Sequence, residues 1–139
     1  MTLSPIASLL LVVGLWFGIT FVCCASDKVT PPPQLTTEHR KAISSALRVK
    51  GYRSPVSLEL TDGDFLVATF ELNEADTQNS LRGFAEERLL IIRNTMLPFH
   101  VVNNYRVTLN GPSPGQGLIR RYGSARFIEG GGVTWEPAN

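Results

Sequence analysis

The chain has 139 residues, 43% of them hydrophobic, which is enough for one modest domain core. Its 13 basic and 12 acidic residues leave a net charge of +1, so global charge draws the protein neither to nucleic acid nor to anionic lipid. Cys23 and Cys24 both precede the charged part of the chain, which therefore offers no disulfide, thiol nucleophile or thiolate metal site.

Residues 1–25 predict a transmembrane anchor or a signal peptide. No charge occurs from Ile6 to Ala25, and as a helix these residues would span roughly 30 Å, the thickness of a bilayer core. The run is longer than the apolar region of a secretory signal and no basic residue precedes it, which favours a retained anchor. Two alternatives stay open: cleavage after Ala25, since Cys23 and Ala25 approximate the small-residue pattern, and lipid modification of a cysteine.

The side of the membrane is predicted from weak signals. Lys28 closely follows the apolar segment, which favours a cytoplasmic domain, but most short chains led by such a segment export the domain behind it. We therefore expect a single-pass membrane protein with an extracytoplasmic domain, and a secreted or periplasmic protein as the alternative. Gly14 and Gly18 have the four-residue spacing that lets transmembrane helices approach closely, and are candidate residues for dimerisation of the anchor.

A spacer and a helix come next in the chain. Residues 26–35 (SDKVTPPPQL) predict a Pro-rich spacer, because three consecutive prolines favour an extended polyproline conformation. A single domain is expected over residues 36–139. Its first helix is predicted to begin at a cap formed by Thr36 or Thr37 and to end at Gly51, which can adopt the left-handed conformation.

The stretch VSLELTDGDFLVATFEL predicts a β-hairpin. Asp62-Gly63 is the dipeptide preferred in a two-residue type I′ turn, and this turn would set Leu60 opposite Phe65. One apolar face, expected to meet the helices, would then consist of Val56, Leu58, Leu60, Phe65 and Val67.

The second hairpin strand is also apolar on its other side. The side chains there are Leu66, Ala68, Phe70 and Leu72. Further chain from the same domain is one cover for them, and the functional alternative is a partner surface or a self-association face. These four residues are therefore candidates for a partner surface.

A second helix is predicted after the turn at residues 73–76, ending at Met96 or Leu97 because Pro98 follows. Its buried stripe would consist of Leu81, Ala85, Leu89, Ile92 and Met96, widened by Phe84.

Three strand patterns complete the chain. Residues 104–109 alternate with Tyr105, Val107 and Leu109 inward, residues 118–128 suit a strand with a bulge at Gly123, and a short terminal strand includes Trp135. The predicted fold is a small two-layer α+β domain, in which an antiparallel sheet of four to five strands packs two helices on one face, preceded by an N-terminal hydrophobic helix.

Chemical signatures are absent from the sequence. His39 and His100 lie on separate elements, and no metal-ligand spacing, dinucleotide fingerprint or nucleophile elbow occurs, so we expect no enzymatic activity, cofactor or metal. Arg120, Arg121 and Tyr122 combine phosphate-binding and base-stacking side chains, but the motif does not match an RNA-recognition signature. We keep these three residues as a candidate partner surface and nucleic-acid binding as a minor alternative.

These patterns favour a membrane-tethered, non-enzymatic protein-interaction or assembly module that binds a protein partner or a second copy. The element order resembles in outline the small two-layer interaction modules of envelope assemblies. The alternative is a secreted or periplasmic small-ligand binder or enzyme released by cleavage after Ala25. A cytoplasm-facing nucleic-acid binder is the third hypothesis.

Overall fold

A computed structural model describes residues 33–61 and 64–139, which form an α+β domain. The predictions for residues 1–25, including Gly14 and Gly18, and for most of the spacer lie outside the described residues. In chain order the elements are α1 (Thr37–Val49), β1 (Ser57–Thr61), β2 (Phe65–Glu71), α2 (Leu81–Met96), β3 (Asn104–Pro112), β4 (Ile119–Ile128) and β5 (Gly132–Pro137), with single 3-10 turns at Asp76–Gln78 and Leu97–Phe99.

Helix α1 is capped at both ends by residues next to it in the chain. The Thr36 hydroxyl accepts a hydrogen bond from the His39 N–H at 3.3 Å, and the Thr36 N–H donates to His39 Nδ1 at 3.1 Å, a reciprocal capping box. At the other end Gly51 has φ +78°, and the Tyr52 N–H donates to the Leu47 carbonyl at 3.0 Å. The predicted cap at Thr36 and stop at Gly51 are confirmed.

The hairpin register differs by one residue from the predicted one. Thr61 pairs with Phe65 and Leu60 with Leu66, so three residues rather than two separate the paired strand ends. Asp64 has φ +59°, and its N–H donates to the Thr61 carbonyl at 3.2 Å, as expected for the left-handed third position of a three-residue loop. The predicted pairing of Leu60 with Phe65 is wrong.

This shift reverses the two faces of β2, because side chains alternate along a strand. The side chains predicted to point away from the helices are instead buried in the same core as the apolar residues of both helices. They are Leu66, Ala68 and Phe70 on β2 and Leu72 just after it. Phe65 and Val67, predicted for the core, lie half-buried on the opposite face. Of the two covers left open for these side chains, further chain from the same domain is the one that the structure shows.

The sheet is mixed, with the strand order β1-β2-β3-β4-β5. Strands β2 and β3 are parallel, with Phe65 beside Asn104 and Glu71 beside Asn110, whereas the other three neighbouring pairs are antiparallel. The prediction of an entirely antiparallel sheet is wrong at this one pair. Helix α2 connects β2 to β3 and carries the chain back to the end where β2 began, so β3 runs in the same direction.

Both helices contribute to one core against one face of the sheet. The predicted alternation of β3 is confirmed, since Tyr105, Val107 and Leu109 are buried. Helix α2 begins at Leu81, later than predicted, because a 3-10 turn and the Ser80 cap precede it. The main core side chains of the helices are Ile43, Leu47, Ala85, Leu89, Ile92 and Met96.

A β-bulge shapes the start of β4. The pairing of β3 with β4 shifts between Leu109 and Asn110, which leaves Tyr122 as the extra residue. Gly123 follows with φ +151°, and a Cβ atom there would lie 2.5 Å from Cζ2 of Trp135. The bulge predicted at Gly123 is confirmed, and the indole occupies the space that any side chain at position 123 would need.

Candidate functional site

The structure separates the two parts of the sequence-predicted partner surface. Arg120 and Arg121 are exposed, and the Arg120 guanidinium lies 4.5 Å from the centre of the Tyr122 ring, whose hydroxyl donates to the Pro112 carbonyl. These residues line a polar depression together with Glu136. From the other part of that predicted surface, Phe70 and Leu72 line a different concavity.

That concavity, which we call the apolar groove, has a volume of about 520 Å³. It lies beside the ends of β2 and β3, the first turns of α2 and the start of β4. Its apolar lining consists of Val56, Phe70, Leu72, Phe84, Leu118 and Ile119. The carboxyl ends of parallel strands, where this groove lies, are the edge at which α/β sheets commonly bind ligands.

Three aliphatic side chains form the rim of the apolar groove. Val56 is 62% exposed, Leu118 64% and Ile119 68%. Single exposed aliphatic residues are ordinary on protein surfaces, but several that converge on one concavity are typical of an interaction site. The groove therefore combines a buried apolar floor with an unusually accessible apolar rim.

Local backbone structure holds this rim in place. The Val56 N–H donates to the Thr69 carbonyl at 2.8 Å, which fixes the chain beside β2 just before β1. The Ser113 N–H donates to the Leu118 carbonyl at 2.7 Å and closes the connection between β3 and β4. Because Gly117 adopts φ +60°, the chain can turn immediately before Leu118 and place it at the rim.

The floor of the groove contains a buried arginine. Arg88 is 8% exposed, and its guanidinium carbon lies 3.2 Å from the centre of the Phe84 ring and 4.1 Å from that of Tyr52. Nη1 donates to the Phe84 carbonyl at 3.1 Å, whereas Nε is buried without a partner among the described residues. Aromatic rings thus contact the faces of the guanidinium but leave in-plane donors unused.

The acidic groups near Arg88 have other partners. Glu87 accepts a hydrogen bond from the Tyr52 hydroxyl, which raises the pKa of Tyr52, and Asp76 forms an ion pair with Arg53 at 2.6 Å. Among the ion pairs of residues 33–61 and 64–139, none includes Arg88. Desolvation by burial lowers the pKa of Arg88, because the charged form loses water without gaining a carboxylate at contact distance.

Sequence reasoning did not identify Arg88. The buried stripe predicted for the second helix did not include it. The periodicity does contain a signal, since Arg88 follows Phe84 by one turn and thus falls within the apolar stripe. Because the apolar stripe of a helix faces the core, a charged residue within the stripe is buried with it. Buried ionisable side chains are common at functional sites.

The sheet face opposite the helices is basic. Arg126 forms an ion pair with Glu136 at 2.7 Å, and the guanidinium groups of Arg106 and Arg126 lie 5.3 and 5.5 Å from the Phe65 ring centre. The hydrogen bond from Arg126 lowers the pKa of Glu136, and the charges of Arg106 and Arg121 act in the same direction. Glu136, the partner of Arg126 on this face, also lines the polar depression of Arg120 and Arg121.

His39 and the possible metal ligands of the described residues have the following arrangement. Within them no group of three or more His, Cys, Asp or Glu side chains could hold a metal ion. His39 contributes to the α1 cap and contacts Phe99, with ring centres 4.7 Å apart, so its Nδ1 is already an acceptor in the fold.

Comparison of the chain with protein-family models, curated proteins and solved structures found no match. In the part of the chain that the structure describes, no helix is both long and apolar enough to cross a membrane.

Proposed function

We propose that this protein is a membrane-tethered, non-enzymatic interaction module whose partner protein docks in the apolar groove. The observation that supports this proposal is the rim, where Val56, Leu118 and Ile119 are each more than 60% exposed around one concavity. A partner that covers these side chains removes apolar surface from water, and full burial of one aliphatic side chain contributes about 1.5–3 kcal/mol.

The tether belongs to the same proposal. Residues 1–25 hold the protein in the membrane, residues 26–35 act as a spacer, and the domain lies outside the cytoplasm. Support comes from the uncharged run up to Ala25 and from Leu35, which packs against the core and so marks where the folded domain begins. Membrane fractionation with mass determination of the N-terminus tests the tether: a chain that begins at Ser26 and leaves the membrane fraction contradicts it.

Cross-linking in native membranes tests the groove. The wild-type full chain should give one stoichiometric cross-linked species, and the double variant Leu118→Ser, Ile119→Ser should reduce it at least about tenfold, since each lost aliphatic contact weakens binding by about 1.4 kcal/mol or more. Ile128→Ser is the matched control, because Ile128 is an exposed residue of the same strand at its other end. A partner that the double variant retains as well as the control does would contradict docking in the groove.

A second candidate function is small-ligand binding by a protein released after Ala25. The observation that favours it is the concave shape of the same groove, with a buried arginine beneath an apolar rim. Binding pockets for small molecules combine such apolar walls with a few fixed polar groups. A mature N-terminus at Ser26, together with an unchanged cross-linking pattern in the groove variant, would support this function over the first.

A further inference from the structure

We infer that the partner segment docking in the apolar groove is basic: its aliphatic side chains rest on the rim, and a lysine or arginine between them pairs with Glu71 and Glu74. The inference rests on the proposed function, because it names the chemistry of the partner that the groove accepts. The exposed apolar rim makes this concavity a docking site, and the charges around it select among the segments that could occupy it.

The surroundings of the groove are acidic. Arg53 and Arg88 supply two positive charges, whereas four carboxylates line the groove or lie close to these two cations, which leaves a net formal charge of −2. The four are Glu71, Glu74, Asp76 and Glu87. A cation that approaches the groove is therefore attracted by the sum of these charges, and an anion is repelled.

Neither of the two cations is presented to an incoming segment as a free charge. Arg53 forms an ion pair with Asp76 at 2.6 Å. Arg88 is 8% exposed at the floor, where its guanidinium lies against the rings of Phe84 and Tyr52. The accessible charges of the groove are therefore carboxylates.

Glu71 and Glu74 are these accessible carboxylates. Both are exposed residues of the groove lining, and neither belongs to an ion pair in the described part of the chain. Glu71 is the last residue of β2 and is paired with β3, and Glu74 lies in a turn that Asn73 and Asp76 close with reciprocal hydrogen bonds of 2.8 and 3.0 Å. Because the backbone that carries both carboxylates is already ordered, binding does not have to order it.

Docking on the rim determines what these carboxylates require. A segment that covers Leu118 and Ile119 also removes water from Glu71 and Glu74, since all four residues line one concavity. Loss of hydration disfavours an ionised carboxylate unless a new partner compensates it. A basic side chain supplies the donors and the counter-charge, a neutral segment leaves the loss uncompensated, and an acidic segment adds repulsion. The same contact that buries the apolar rim therefore favours a basic partner.

Three matched peptides test the inference on the full chain in zwitterionic nanodiscs, with empty nanodiscs as the blank. Acetyl-leucyl-lysyl-leucinamide carries the cation, the same peptide acetylated at the lysine Nζ keeps the stem without the charge, and acetyl-leucyl-glutamyl-leucinamide carries an anion. Binding is measured by calorimetry at an ionic strength of about 10 mM, where screening is weak, and methyl shifts of Leu118 and Ile119 locate it. We expect the lysyl peptide to bind about fivefold more tightly than its acetylated form, as for two exposed ion pairs, and the glutamyl peptide to bind most weakly.

The double variant Glu71→Gln, Glu74→Gln removes both charges and keeps the size of the side chains. It should bind the lysyl peptide and its acetylated form equally, while the methyl shifts remain. The double variant Glu38→Gln, Glu129→Gln is the matched control, because it changes the net charge equally at exposed residues that do not line the groove, and it should keep the fivefold ratio. On the wild-type chain, raising the salt to about 1 M should bring the ratio close to one.

Each outcome separates the inference from the proposed function. Equal wild-type affinity for the lysyl peptide and its acetylated form, or tighter binding of the glutamyl peptide, overturns the basic partner and leaves the groove as an apolar docking site. A ratio that the variant of Glu71 and Glu74 retains, or that the control also loses, overturns the assignment to these two carboxylates. Self-association that displaces the peptides as protein concentration rises identifies a second copy as the occupant and overturns a separate basic partner. No binding of any peptide contradicts both the inference and docking in the groove.

Discussion

Replacing Gly123 by alanine should lower the free energy of unfolding by about 2–6 kcal/mol, from two sources that the structure separates. The backbone φ of +151° is one that side-chain-bearing residues rarely adopt, and such strain costs about 1–3 kcal/mol. The added Cβ would also lie 2.5 Å from Cζ2 of Trp135 and 2.9 Å from the Glu136 carbonyl oxygen, and overpacking of this kind costs about 1–3 kcal/mol.

Two other glycines provide matched controls that separate backbone strain from overpacking. Gly117 has φ +60° with no atom within 4 Å of an added Cβ, so Gly117→Ala reports strain alone. Gly131 has an ordinary φ and a nearest contact of 3.5 Å, so Gly131→Ala should change stability little. The double variant Gly123→Ala, Trp135→Ala removes the clash with the indole, though not that with the Glu136 carbonyl oxygen, and should show a favourable coupling relative to the two single variants.

Urea unfolding of the full chain, followed by circular dichroism, measures these differences. The expected order of stability is wild type and Gly131→Ala, then Gly117→Ala, then Gly123→Ala. Equal stability of Gly123→Ala and Gly131→Ala, within about 0.5 kcal/mol, would refute the packing of Trp135 against the bulge and with it the described end of the sheet.

Three further outcomes are expected. Thr36→Ala should lower the free energy of unfolding by about 1 kcal/mol in the same urea experiment, because it removes the side-chain half of the α1 capping box. The pKa of Glu136 is lowered in the folded state by the hydrogen bond from Arg126, so its stabilisation is complete above the ordinary glutamate pKa and is lost as pH falls through the lowered one. The stability difference between wild type and Glu136→Gln should therefore shrink as pH falls through that range, and a difference that grows would contradict the ion pair. Salt-sensitive retention of RNA by the full chain that disappears in the double variant Arg120→Ala, Arg121→Ala would support the nucleic-acid hypothesis, and we expect no such retention.

Much of the fold can be predicted from local signals in the sequence. The cap at Thr36, the left-handed stop at Gly51 and the bulge at Gly123 each depend on one residue type and its near neighbours. The alternation from Tyr105 to Leu109 depends on periodicity within one strand. Such features can be predicted because the atoms that decide them are close in the chain.

The hairpin register could not be read from its turn dipeptide. Asp62-Gly63 favours a two-residue turn, but Asp64 takes the left-handed position and the loop has three residues. Both faces of β2 begin with apolar residues. They differ only from Thr69 onwards, where one face continues with Phe70 and the other ends in Glu71. Burial of the whole strand outweighed the local preference of the turn.

The parallel pairing of β2 with β3 and the apolar groove differ in whether the sequence could have predicted them. A helix between two strands already indicates a parallel crossover, so the direction of β3 was available from the element order. The groove was not, because Val56, Arg88 and Ile119 approach one another only after the sheet, α2 and the loop before β4 have formed. No periodicity relates residues at such separations.

The one-residue shift in the hairpin register connects the burial of β2 with the lining of the apolar groove. Had Leu60 paired with Phe65, the apolar set that includes Phe70 and Leu72 would have faced away from the helices. In the observed register Phe70 and Leu72 point towards α2, where they are buried beneath the rim and line the same concavity as Arg88. Under the proposed function, the apolar character of β2 bears on binding only at the end of the strand, where the groove has exposed aliphatic side chains at its rim. Helix α2 brings Arg88 to the same floor, where its guanidinium lies against the ring of Phe84.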